Sequence, residues 1–197
     1  MKQLLLDIKP AAPPTLQNFV LGRNAEALAS LNTASNQHFI YLWGESGSGK
    51  THLLSACEAH GIRVADDVHL LNNDAQIALF NTYNELKENG EILIAAGLHA
   101  PKQMGLRDDL ATRLAWGLVY QLQPLNDAEK ALALKNHAEE RGIKLPDEVI
   151  DYCLRYLRRD LPTLMATLDA LDEWSLTAQK PVTVPMLKKL LQLELAI

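Results

Sequence analysis

Gly44-Glu45-Ser46-Gly47-Ser48-Gly49-Lys50-Thr51 is the stretch that decides the fold. It fits G-x-x-x-x-G-K-[ST], a loop whose backbone N–H groups wrap around a phosphate. The residue types follow from that task. Glycines let successive amides converge on one anion, and a helix starting at Gly49-Lys50-Thr51 adds the positive end of its dipole. Lys50 reaches the β- and γ-phosphate oxygens, and Thr51 offers a hydroxyl to Mg²⁺. Glu45, Ser46, Gly47 and Ser48 complete the run, and His52 extends it by position. Neither His52 nor His99 sits in a metal-ligand spacing, so a structural or solvent-facing imidazole is the plainer reading of each. For the loop itself the plain alternative is a glycine turn beside an exposed lysine. The elements on either side decide against it.

Before the loop, Phe39-Ile40-Tyr41-Leu42-Trp43 is an unbroken apolar run of the kind buried on both faces of a parallel sheet. Further short apolar runs at 62–65, 91–96 and 118–122 read as strands, with helices expected over 24–32 and 74–89. Strand and helix alternating in this way argues a three-layer α/β core with a parallel sheet. Phosphate chemistry also needs an acid at the end of a neighbouring strand, and Ile62-Arg63-Val64-Ala65-Asp66-Asp67 supplies two. Asp66 is assigned to the Mg²⁺ and Asp67 to orienting the attacking water; adjacent acids after a strand can also merely cap a loop.

After Pro124 the character becomes helical. Asn126 with Glu129 three residues on is a capping box, and the helix it opens stops at Gly142. Pro146 suits the first turn of a second helix to about 159, Asp160 caps a third to about 178, and Thr183 with Pro185 opens a fourth. The expected organisation is an arm over 1–14, an α/β core over 15–124 and an all-helical lid over 125–197. Pro10, Pro13 and Pro14, with little periodicity as far as residue 18, imply an extended, flexible approach to the first folded element.

Composition narrows the setting. The 197 residues are 48% hydrophobic, enough for one substantial core with a small lid. Cys57 and Cys153 stand in no metal-ligand or redox spacing, which suits buried thiols in a reducing compartment. Nothing approaches the roughly 20 apolar residues of a membrane span, and the N-terminal apolar run is too short for a signal peptide. The expected setting is the cytoplasm, without membrane contact. Nineteen basic against twenty-four acidic side chains leave a net charge of −5, so a polyanion-seeking surface is not expected and DNA would be met through another protein.

At this point the residues resemble the initiator-type, DnaA-related AAA+ family, over nearly the whole chain. Thr15-Leu16-Gln17-Asn18-Phe19-Val20-Leu21-Gly22-Arg23-Asn24 is similar to that family's opening box at the adenine pocket, which brings Gly22 into the nucleotide set. Asp66-Asp67 resembles its acidic pair. Asp109-Leu110-Ala111-Thr112-Arg113-Leu114-Ala115-Trp116-Gly117-Leu118 is similar to its arginine-finger box and makes Arg113 the finger, a surface ion pair with Asp109 being the plain alternative. The sequence runs out after the lid helices, so the initiator's helix-turn-helix DNA-binding domain is expected to be absent, as in the family's regulatory members. Gln3-Leu4-Leu5-Leu6-Asp7-Ile8 resembles the short peptide that tethers such regulators to the DNA polymerase sliding clamp, with Gln3, Leu4, Leu6 and Ile8 as contacts; a disordered or sheet-adding tail is the alternative.

Three departures from the family pattern carry consequences. Thr51 and Asp66 are close in sequence, so a strand and a helix of the usual core are expected to be missing and the sheet to have four strands. Gly97 or Leu98 stands where a polar sensor belongs, and Pro162 where a lid arginine contacts nucleotide, with Arg158 or Arg159 as substitutes. Weak or no intrinsic hydrolysis follows. The resemblance therefore implies an ADP- or ATP-bound, clamp-tethered regulator, associated with the nucleoid or replisome, that inserts Arg113 beside the ATP of the initiator DnaA and so represses replication initiation. It also implies AAA+ faces through which copies of the chain can self-associate. A helicase-loader-like or truncated-initiator ATPase acting on single-stranded DNA, and a non-catalytic clamp-associated adaptor, are the alternative readings.

Overall fold

The run from Phe39 to Trp43 forms β1 (Phe39–Trp43), an inner strand in the computed structural model, which describes residues 13–33 and 39–194. The described chain divides into two compact units, 13–125 and 126–194.

The first unit runs α1 (Ala25–Asn32), β1, α2 (Lys50–Glu58), β2 (Arg63–Ala65), α3 (Asn73–Asn89), β3 (Leu93–Gly97), α4 (Asp108–Trp116) and β4 (Leu118–Gln121). Its four strands are all parallel, in the order β2-β3-β1-β4, so β1 pairs on both edges and Ile40 faces Ile94 on one side and Leu118 on the other. Alternation along β1 then builds the layers. Ile40 and Leu42 pack with Ala27, Leu31, Leu53 and Leu54 from α1 and α2. Phe39 and Tyr41 pack with Tyr83, Leu86, Leu110 and Leu114 from α3 and α4. Burying a side chain such as Leu53 or Leu114 fully contributes about 1.5–3 kcal/mol.

The strands begin or end within two residues of the apolar runs, and the sheet has the four strands expected. The helix α4, which buries Leu110, Ala111 and Leu114, has no counterpart among the expectations from pattern. The extended approach expected up to residue 18 is corrected over 13–18. There Thr15 N donates to Asn18 Oδ1 at 2.8 Å and Asn18 N to Thr15 Oγ1 at 3.1 Å, a reciprocal closure that turns the backbone. Residues 1–12 lie outside the described part of the chain.

The second unit is four helices, α5 (Asp127–Glu140), α6 (Asp147–Tyr156), α7 (Leu161–Ala178) and α8 (Val184–Glu194), around Leu134, Val149, Ile150, Leu164, Leu171 and Leu187. The capping box is present in both directions: Glu129 N donates to Asn126 Oδ1 and Asn126 N to Glu129 Oε2. Helix α6 stops at Tyr156, short of the expected 159, because Leu157 is already extended (ψ 171) to deliver Asp160 as the cap of α7. Asp160 Oδ1 accepts from Thr163 N at 3.0 Å and Thr163 Oγ1 at 2.6 Å. Cys57 and Cys153 are free and buried. Among the described residues, no helix is long and apolar enough to cross a membrane.

Candidate nucleotide-binding site

The loop between β1 and α2 holds its shape through three glycines with positive φ, Gly44, Gly47 and Gly49, two of which also have no room for a side chain. Gly44 (φ 153) passes so close to β4 that a Cβ would lie 2.3 Å from the Leu122 carbonyl oxygen. Gly49 (φ 95) ends the loop in the left-handed region, where a Cβ would lie 2.6 Å from the Phe19 ring. Lys50 is buried, and its Nζ donates to the carbonyls of Gly44 (2.7 Å) and Glu45 (3.0 Å). Burial lowers its pKa, while the charges of Asp66 and Asp67 pull it back up. Ser48 Oγ is buried without a hydrogen-bond partner among the described residues. Such a hydroxyl inside a glycine cradle, beside a buried lysine, is the donor set that a polyphosphate would satisfy. Glu45, Ser46 and Gly47 form the exposed rim.

Thr51 and the acidic pair come together. Thr51 Oγ1 donates to Asp66 Oδ2 at 2.7 Å, and Asp66 Oδ1 accepts the Asp67 backbone N–H at 2.8 Å. Asp67 itself is left-handed (φ 47) and exposed, with His69 Nδ1 at 3.9 Å from its carboxylate. β3 lies in the sheet between β1, which leads to α2 and Thr51, and β2, which leads to the acidic pair, and it ends at Gly97. A side chain there is sterically barred, since a Cβ would lie 2.2 Å from the Tyr41 hydroxyl and 2.9 Å from Met104 Sδ. That hydroxyl donates to the His99 carbonyl at 3.0 Å, so the polar group at this end of the sheet comes from β1 rather than β3.

The opening segment packs directly on the loop. Phe19 covers Gly49 and stacks obliquely on His52 (centroids 5.5 Å apart), whose Nε2 meets the Thr15 carbonyl at 2.9 Å. His52 is thus engaged with the chain's own opening segment. Gly22 (φ 49) turns the chain into buried Asn24, whose side chain grips the Gln123 backbone in both directions, Nδ2 to O at 3.0 Å and Oδ1 from N at 2.8 Å. That grip holds the end of β4 next to Leu122 and so against Gly44.

Arg113 sits on α4 against α3. Its guanidinium carbon lies 4.8 Å from the Trp116 ring centroid and 5.7 Å from those of Phe80 and Tyr83. The ion pair with Asp109 is not formed; Asp109 is held instead by Arg107, Nη2 to Oδ2 at 2.9 Å and Nε to Oδ1 at 3.2 Å. In the helical unit, Pro162 occupies the first turn of α7, and exposed Arg158 and Arg159 face Asp160 (3.4 Å) and Asp127 (3.7 Å). Gln3, Leu4, Leu6 and Ile8 lie outside the described residues.

Residues 127–191 match the family model described as "Hda, lid domain". Among solved structures, domain III of the replication initiation protein DnaA from Thermotoga maritima superposes with a TM-score of 0.71 at 22% identity, covering 93% of this chain and 98% of that one. The chain has the AAA+ fold, with a lid like that of Hda. AMPPCP-bound DnaA from Aquifex aeolicus follows, with a TM-score of 0.64 at 23% identity over 82% of this chain and 67% of that one. The Holliday junction branch migration motor RuvB of Thermotoga maritima has a TM-score of 0.64 at 15% identity over 92% and 72%. At such identities the likeness is one of fold, and the Hda lid is the part matched by sequence family.

Proposed function

We propose that this chain is a DnaA-related regulator that binds ADP or ATP in its own phosphate loop and uses Arg113 on the ATP of a neighbouring initiator. The single observation that supports this best is the state of Arg113. It makes no hydrogen bond and no ion pair among the described residues, so its guanidinium edge is free for an acceptor from outside the chain. A guanidinium placed beside a γ-phosphate neutralises developing charge and raises phosphoryl transfer by about 10³–10⁵. DnaA as partner rests on the Hda-like lid and the DnaA-like fold.

The chain's own residues fit a nucleotide. The loop amides, Lys50 and Ser48 would hold its phosphates, and Thr51 and Asp66 would hold Mg²⁺ together with nucleotide and water oxygens, since no group of three His, Cys, Asp or Glu side chains among the described residues could hold a metal alone. Bound Mg²⁺ supplies charge neutralisation at the β- and γ-oxygens. Asp67 is proposed to orient water, while Gly97 brings no polar side chain to the end of β3, which favours retention of nucleotide over turnover. Gln3, Leu4, Leu6 and Ile8 are proposed to tether the chain to the sliding clamp, which brings it to DNA.

The test is the hydrolysis of ATP preloaded on DnaA, with DNA-loaded clamp, by wild type, Arg113→Ala and Gln3→Ala/Leu4→Ala. Stimulation by wild type that both variants lose supports the reading. Wild type without stimulation leaves the loader-like ATPase or the non-catalytic adaptor.

A further inference from the structure

Resting on the finger reading of Arg113, we propose that Trp116 and Arg107 are its positioning residues: Trp116 fixes the guanidinium by its face, and Arg107 takes up the Asp109 carboxylate that would otherwise pair with its edge. Asp109 and Arg113 stand four residues apart on α4, the spacing at which an acid and an arginine on one helix ordinarily pair. They do not pair here. Arg107, at the N-cap of α4, takes both oxygens of Asp109 in a bidentate fork, and that contact holds the Asp109 carboxyl below the usual carboxylate range.

Arg107 is itself anchored to α3. Its backbone N–H donates to Gln76 Oε1 at 2.9 Å and its Nη1 to Asn73 Oδ1 at 3.4 Å. The fork is therefore set by the α3–α4 packing as well as by charge.

Stacking and salt bridging constrain an arginine in different ways. A carboxylate uses the N–H donors at the edge of the guanidinium, whereas a ring face attracts the cation and leaves those donors pointing outward. The Arg113 guanidinium is bordered by three rings, with Trp116 nearest at 4.8 Å. Tyr83 is buried in the core and Phe80 is partly buried, so these two form a fixed back wall. Trp116 is 65% exposed and forms the outer wall. Lys87 stands 5.6 Å from the same indole centroid, a second cation bordering the ring that holds the first. The result is an arginine whose place is fixed while its five donors stay available, the preorganisation that a trans-acting finger requires.

The experiment measures single-turnover hydrolysis of ATP preloaded on DnaA with clamp and DNA, using Trp116→Ala, Trp116→Phe, Arg107→Ala and Arg107→Ala/Asp109→Asn, with melting temperature followed for each. Trp116→Ala is expected to lower the maximal rate at least tenfold with little change in the concentration giving half-maximal stimulation, and Trp116→Phe to restore most of it. Arg107→Ala is expected to lose at least fivefold, because Asp109 then pairs with Arg113, and the added Asp109→Asn to recover that loss. A structural role for Arg107 would not be repaired by removing its partner. Equal activity of Trp116→Ala and wild type, or a double variant no better than Arg107→Ala, overturns this inference while the finger reading stands. Wild type without stimulation overturns the finger reading and this inference with it.

Discussion

Thr51 and Asp66 meet side chain to side chain, Oγ1 to Oδ2 at 2.7 Å, although β1 and β2, the strands that lead to them, are separated in the sheet by β3. The contact therefore joins elements that lie on either side of β3 in the sheet order. It joins the hydroxyl of the phosphate loop to the acid expected at the metal. Asp66→Asn should therefore weaken binding of Mg²⁺-ADP by at least tenfold and change Mg²⁺-free ADP binding much less. Calorimetric titration with and without chelator reads this difference, and equal losses in both would remove Asp66 from the metal.

Gly49 is doubly constrained, by its left-handed φ of 95 and by the Phe19 ring 2.6 Å from any Cβ. Gly49→Ala should cost about 1–2 kcal/mol for the backbone alone, with the ring clash added, and abolish nucleotide binding. Phe19→Ala in the same chain should recover part of the stability but not the loop geometry. Urea midpoints and nucleotide titration of the single and double variants check both parts.

Asn24 is buried, and both ends of its amide are used by the Gln123 backbone. Asn24→Ala leaves the partly buried N–H and C=O of Gln123 without their side-chain partner, a loss of about 1 kcal/mol or more. Because that grip also holds Leu122 against Gly44, nucleotide affinity should fall with it. A variant that lowers the urea midpoint and leaves ADP affinity intact would separate the two.

Burial pushes the Cys57 and Cys153 thiols up to about 11. A raised thiol pKa keeps the folded protein protonated where the unfolded chain ionises, so stability falls as pH rises from about 9 towards 11. At pH 8 about one thiolate in a thousand is present in the folded state, and labelling by a thiol reagent should be slow until denaturant is added. Fast labelling of both cysteines in native buffer would contradict their burial.

Much of this was legible in the chain because the signals are local. The loop spelling with its apolar strand, and Asn126 with Glu129, each need only neighbours in sequence to take shape. The acid pair was legible as chemistry, since Asp66 and Asp67 end a strand. What escaped is set by contacts between distant residues or by competition. Asp109 has the helical spacing for Arg113, but Arg107, outside the helix and tied to Gln76 and Asn73 of α3, reaches it first. The α4 helix itself, nine residues long, was not expected. Three prolines suggested an extended arm as far as residue 18, yet Thr15 and Asn18 close on each other. The bar against a polar residue at Gly97 comes from Tyr41 and Met104, neither of them near it in sequence.

The most direct measurement of the central claim is the single-turnover rate of ATP preloaded on DnaA, with clamp and DNA, for wild type against Arg113→Lys. Lysine keeps the charge and loses the planar fork of donors, so the rate should drop by about 10² or more while the chain's own ADP affinity stays unchanged. An Arg113→Lys chain as active as wild type would contradict the account.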